Sequence, residues 1–329
     1  MENLIWIVID TRGGDKGAGE MTEGAAAALQ KYSNLGVVLV GDEAALSDLC
    51  AQRSMPMDRV KILGAEGEIT NYDNPAQAIF QKTESSMLKA LRYLGEHDEP
   101  VGLLSSGNTG VLLTGAMRYL SGKERVRPAM AAILPAQNGG FTCLVDTGAT
   151  IDCTPGMLVH FARLGAAFMK DMYAIESPRI GLLSNGAESS KGNKLVKETY
   201  PLLAEDTSLN FVGNIEGNVA LSGACDVLVC DGFAGNLVLK VTEGTATRII
   251  TDIMKYAHRT NSAEIKQLAG HLMGIYDIGS LGGGVILGVA KPIIKIRGNA
   301  GASAVVSTAG MLLNMAQNKS IYGQLQNQI

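Results

Sequence analysis

The chain has 329 residues, 46% hydrophobic but only 5% aromatic, with 40 glycines and a formal net charge of −4. Its core must therefore be aliphatic, and it is large enough for one big α/β unit or for two domains. The acidic balance, without any basic stripe, excludes a general nucleic-acid binder, and no run of about 18 apolar residues is present to span a bilayer. Met1–Asp10 carries an acid and passes directly into a strand-like run, unlike a signal peptide, so the expected location is the cytoplasm.

Leu4–Asp10 reads as a buried strand, followed by the turn Thr11–Asp15 and a helix through Glu23–Tyr32. Gly36–Val40 is the next strand, and Gly41-Asp-Glu43 starts another helix. This alternation implies a parallel sheet with right-handed crossovers. A strand at Val60–Leu63 leads to a polar stretch, a helix over Pro75–Glu96 and a strand at Val101–Leu104. Arg127–Pro135 should be extended, because each proline biases its predecessor away from helix. Thr154-Pro155 opens a helix to about Tyr173, with Thr as cap and Pro in the first turn. Asn236–Arg259 is a long helical stretch, and Asn261–Ile278 is helical up to Gly282. Strands at Val285–Gly288 and Pro292–Ile296 precede a final helix. The chain reads as a single α/β/α unit over 1–329 with a helical insertion at 237–281.

Four apolar runs end in loops of Gly, Asn, Ser and Asp: Val101–Gly110, Cys143–Ala149, Ile180–Gly186 with Ser190–Asn193 shortly after, and Val227–Asn236. In open α/β sheets such loops gather at the carboxyl ends of the strands, where ligands bind. Small residues let backbone N–H groups face inward beside helix N-termini, which suits an anion, and Lys191 is the obvious cation among them. The same composition also suits plain strand-to-helix turns. Lys191 has the alternative reading of a solvated cation, and Asp231 that of a helix cap.

The five cysteines show no paired spacing, and no His accompanies Cys153, so neither a disulfide framework nor a cysteine nucleophile is expected. Asp146 and Asp152 lack partner histidines, so no metal and no cofactor are expected. His160 reads as helix packing or surface. The stretch Gly17-Ala-Gly19-x-x-Thr22 lacks the last glycine of a dinucleotide fingerprint, which argues against a nicotinamide dehydrogenase.

Asp10-x-x-Gly-Gly-Asp15, Val40-Gly-Asp42, Ser106–Gly110, Arg127-Pro-Ala129, Asp146-x-Gly-Ala149 with Asp152-Cys-x-Pro155, Lys191-Gly-Asn193, Phe211–Asn214 and Cys230–Asn236 resemble, in order, the phosphate acyltransferases of the PlsX family. The resemblance implies a three-layer α/β/α fold with a mainly parallel sheet, like isocitrate dehydrogenases and phosphotransacetylases. It also implies a homodimeric enzyme that transfers an acyl group from acyl carrier protein, or a similar thioester, to inorganic phosphate, feeding phospholipid synthesis. Carried over by position, Lys191 and Asp231 become the catalytic candidates. Ser106, Gly107, Asn108, Thr109, Asp146, Asn193, Asn214, Gly232 and Asn236 become the substrate-binding ones.

The chain departs from the family pattern at Arg12, where the first loop usually reads Asp-Ala-Met-Gly-Gly-Asp, and at Arg297-Gly-Asn-Ala300, where the family has His-Gly-Ser-Ser. Arginine at these positions suits bidentate recognition of phosphate or carboxylate. Ser184-Asn-Gly186 replaces Asn-x-Gly, and the helical insertion lacks a Lys-rich amphipathic stretch, so membrane association is expected to be weak or absent. Two alternatives accompany this reading: a non-catalytic, regulatory anion-binding paralogue, and the acetyl-phosphate-forming component of a glycine-reductase-type complex.

Overall fold

The computed structural model describes residues 4–121, 127–276 and 283–317. Their contacts divide the chain into two compact units, Met1–Pro128 with Gly282–Ile329, and Ala129–Leu281.

The first unit begins with β1 (Ile5–Asp10), α1 (Gly17–Lys31), β2 (Leu35–Gly41), α2 (Glu43–Gln52) and β3 (Val60–Gly64). It continues through α3 (Pro75–Gln81), α4 (Ser86–Glu96), β4 (Pro100–Ser105) and α5 (Thr109–Tyr119). The four strands are parallel in the order β3-β2-β1-β4. β2 is buried along its whole length, as a sheet covered on both faces requires.

Two helix boundaries differ from the sequence reading. α1 starts at Gly17 rather than Glu23, because packing on the carboxyl-terminal helix outweighs the poor helix propensity of its glycines. At Gly24 an added Cβ would lie 2.5 Å from the Cβ of Val305. The stretch Pro75–Glu96 forms two helices, because Ser85 adopts an extended conformation (φ −63, ψ 152) and restarts the chain as the N-cap of α4.

The second unit comprises β5 (Ala129–Pro135), β6 (Phe141–Val145), α6 (Pro155–Tyr173), β7 (Arg179–Ser184), α7 (Lys194–Glu205), β8 (Asn210–Glu216), β9 (Val227–Val229), α8 (Gly232–Thr260) and α9 (Ala263–Tyr276). Its strand order is β5-β6-β9-β7-β8, parallel except for the β5–β6 hairpin. α6 begins as its Thr-Pro start dictates, with the Thr154 side chain accepting from Met157 N. It presses closely on the sheet, since a Cβ at Gly165 would lie 2.5 Å from Val227 Cγ1. The Arg179 guanidinium grips Asp226 through Nε (3.0 Å) and Nη2 (2.8 Å), tying the start of β7 to the turn before β9. Burial pushes the Asp226 carboxyl up, but the hydrogen bonds from Arg179 outweigh it and hold the group below its usual range.

α8 and α9 occupy most of the stretch expected as a helical insertion, of which residues 277–281 lie outside the described residues, as does Gly282. The chain then returns to the first unit with β10 (Gly284–Leu287), β11 (Ile293–Lys295) and α10 (Ala302–Gln317). There β11 runs parallel to β4 and β10 antiparallel to β11. The architecture is mixed α/β with mainly parallel strands, as the sequence predicts.

His160 on α6 is half-buried, and its Nε2 is buried with no hydrogen-bond partner. Burial, reinforced by Arg163, depresses its pKa from 6.5 to about 4. A group depressed on folding supports the fold fully above its unfolded pKa and loses that support as pH falls toward the folded value. Melting temperature should therefore drop between pH 6.5 and 4, and His160→Phe should flatten that drop. Equal slopes for the two proteins in melting curves across this range would contradict the assignment.

Candidate functional site

In the second unit, Asp146 directly follows β6 and is completely buried. Its Oδ1 accepts from the backbone N–H of Met130 (2.9 Å), Gly148 (3.2 Å) and Ala149 (3.0 Å), and its Oδ2 from Thr150 (2.7 Å). Burial raises the pKa of this carboxyl, while the amides pull it back. With its oxygens so engaged, Asp146 shapes the 146–150 turn.

α8 starts against that turn. Gly232 N donates to Thr150 O at 2.8 Å, and Asn236 Nδ2 to Thr147 O at 3.1 Å. Glycine is obligatory here: a Cβ at Gly235 would fall 1.9 Å from Asp146 O, and one at Gly232 would fall 2.8 Å from Asp146 Oδ2. Gly232 and Asn236 thus fasten the helix to the turn.

Asp231 caps α8, its Oδ1 accepting from Ala234 N at 2.8 Å, and Asn193 caps α7 in the same way through Val196 N at 2.9 Å. Both residues line a cleft of about 490 Å³, together with Ser184 and Gly192. The remaining lining is largely aliphatic, including Leu158, Leu183, Leu195 and Ala234. Ser184 Oγ, at the carboxyl end of β7, is buried without a hydrogen-bond partner.

Lys191 sits on the adjoining loop, exposed, and its ammonium makes no hydrogen bond or ion pair among the described residues. It is absent from the cleft lining, to which its neighbours Gly192 and Asn193 belong. The loop is held from both sides: Asn185 Oδ1 accepts from Gly192 N at 2.9 Å, and Asn214 Nδ2 donates to Glu188 O at 2.8 Å. Asn214 is buried and its Oδ1 remains unpaired.

The first unit has its own polar loops at the carboxyl ends of β1, β4 and β11. Asp10 is wholly buried and accepts from Ser86 Oγ at 2.6 Å and Ser105 Oγ at 2.7 Å. Ser105 Oγ in turn accepts from Gly107 N at 3.2 Å. Burial raises the Asp10 pKa, against these hydrogen bonds and the nearby Lys295 charge.

The 12–15 loop is wedged between two others. A Cβ at Gly13 would lie 2.8 Å from Gly107 Cα, and Asp15 N donates to Gly298 O at 2.9 Å. Arg12 (half-buried) and Arg297 (exposed) therefore flank the same group of loops as Ser106 and Gly107. Ser106 is buried with Oγ unpaired. Asn108 caps α5, whose first residue is Thr109, and donates to Thr70 O and Asp73 O at 3.0 and 3.2 Å.

Sequence reasoning passed over Asp10, Ser105 and Ser184 as site residues. A lone carboxylate closing an all-apolar strand was the available signal for Asp10. Among the described residues no cluster of His, Cys, Asp and Glu suits a metal ion, and no helix is long and apolar enough to cross a membrane.

The model of the family described as "Fatty acid synthesis protein" matches residues 5–321. The chain is 37% identical over 331 residues to a phosphate acyltransferase of Halothermothrix orenii, covering 98% of each chain. It is also 37% identical over 320 residues to a phosphate acyltransferase of Thermoanaerobacter pseudethanolicus, covering 95% of this chain and 94% of the other. A phosphotransacetylase from Streptococcus pyogenes aligns with a TM-score of 0.65 at 16% identity, over 96% of this chain and 94% of that one. A branched-chain phosphotransacylase from Enterococcus faecalis aligns at 0.57 and 13%, over 94% and 99%. At such identities the structural likeness concerns the fold.

In an exposed helix, Gly→Ala stabilises by about 1 kcal/mol. At Gly235 the sign should reverse, because the new methyl meets the Asp146 carbonyl. Gly235→Ala should cost about 1–3 kcal/mol in denaturant unfolding, and a stabilised variant would contradict the close approach.

Proposed function

The chain belongs to the phosphate acyltransferase family and is a transferase that moves an acyl group to phosphate; on that premise we propose the donor, the product and the residues that carry the reaction. The donor is an acyl thioester, acyl carrier protein foremost, and the product is acyl phosphate for phospholipid synthesis in the cytoplasm. The active form is a homodimer.

A phosphate oxygen attacks the thioester carbonyl carbon, the C–O bond forms, the C–S bond breaks, and the sulfur leaves as thiolate to take up a proton. Phosphate is itself the nucleophile, so no activated Ser or Cys is needed. The demand on the protein is to hold a dianion against a carbonyl and to stabilise the tetrahedral oxyanion with fixed donors.

The observation that carries this reading is the cleft rim of the second unit. Two helix N-termini open on one cleft, with an unpaired ammonium on the adjoining loop. Helix N-termini present orphan N–H groups and partial positive charge. Lys191 is proposed to neutralise phosphate or the oxyanion. Asp231 spends Oδ1 on its cap, and Oδ2 is proposed to orient Lys191 or to accept the phosphate proton. In the first unit, Ser106, Gly107, Asn108, Thr109, Arg12 and Arg297 are proposed to receive an anionic group.

Purified protein incubated with phosphate and acyl thioesters should yield a hydroxylamine-trappable acyl phosphate. Lys191→Ala should lower its rate by about 10²–10³-fold with an unchanged melting temperature, since the side chain is exposed and unpaired. Wild-type turnover in that variant would refute the role of Lys191.

A further inference from the structure

The cleft of the second unit is polar at one edge and apolar below it. Along the strand the apolar lining residues come before the polar one, and along the two helices they come after it. In β7, Leu182 and Leu183 precede Ser184; in α7, Asn193 precedes Leu195 and Val196 by less than one turn; at α8, Asp231 precedes Ala234. The helices follow the carboxyl ends of parallel strands and run back along them, so one turn into α7 or α8 lies at the depth of Leu182 and Leu183. Polar groups thus form the rim and aliphatic groups the wall.

The wall is incompletely covered. Leu182 and Leu158 are fully buried and make a floor, whereas Leu183, Leu195 and Ala234 are half-buried and stand open to the cleft. Phosphate gains nothing from such a surface. A volume of about 490 Å³ falls within the range of small-molecule sites, and a single phosphate would leave most of it empty. At the rim, the unpartnered hydroxyl of Ser184 is a donor awaiting an acceptor.

We propose that this cleft receives the hydrocarbon chain of the acyl donor, with the thioester carbonyl at the Ser184 rim, and that Leu195 and Ala234 set the preferred chain length. The inference rests on the acyl-transfer reading above. A chain lying along these aliphatic groups leaves water with them, at a gain of about fourfold in binding for each methylene covered.

The test compares kcat/KM for acetyl, octanoyl and palmitoyl thioesters of both coenzyme A and acyl carrier protein, with acyl phosphate trapped by hydroxylamine. Ala234→Leu fills the cleft and should lower the palmitoyl-to-acetyl ratio by about tenfold or more, a few methylenes' worth. Leu195→Ala opens it and should move the ratio the other way. Ala234→Val supplies a milder filling if the larger side chain impairs folding, which melting curves report. Opposed shifts on both carriers support the proposal. An unchanged ratio in folded variants that still make acyl phosphate places the chain elsewhere and overturns it. Absence of acyl phosphate from every donor in the wild type overturns the parent reading, and this proposal with it.

Discussion

The buried carboxylate of Asp146 is the constraint on which the second unit's rim depends. A charge removed from water must be compensated where it sits, and here the compensation is a set of backbone amides drawn in from Met130, Gly148, Ala149 and Thr150. Satisfying the anion folds the turn, and the folded turn fixes where α8 can begin. Gly232 and Gly235 are the places where helix and turn come too close for a side chain. The first unit meets the same problem with different chemistry, since Asp10 recruits the hydroxyls of Ser86 and Ser105. In both units a buried carboxylate serves the architecture of its loops.

That division explains what was legible in the sequence. Strand-to-helix alternation, the Thr154-Pro155 start and the glycine loops are local patterns, and local energetics decide them. The boundary of α1 was missed because Gly17-Ala-Gly19 favours a turn until α10 packs against the helix. Roles were harder to read than positions. Asp231 and Asn193 are helix caps as well as cleft residues, and a single sequence cannot separate the two tasks. For Asp146, a loop aspartate beside glycines has the same sequence signature whether its oxygens face a ligand or the backbone, and its four backbone hydrogen bonds become visible only in the fold.

Electrostatics in the second unit follows the same economy. Arg179 is committed to Asp226 and Arg163 to Asp206. Lys191 stands on a loop whose shape is maintained by Asn185 and Asn214 rather than by any bond to its own ammonium. The loop is thus held in place while the Lys191 ammonium has no partner among the described residues.

The rim and the wall of the cleft are made of different material. The rim is built from backbone turns, helix starts and glycines that tolerate little substitution, whereas Leu195 and Ala234 contribute only the volume of their side chains. Mutational drift is therefore channelled: exchanging one aliphatic residue of the wall for another changes the volume of the cleft while the turns and helix starts of the rim stay where they are.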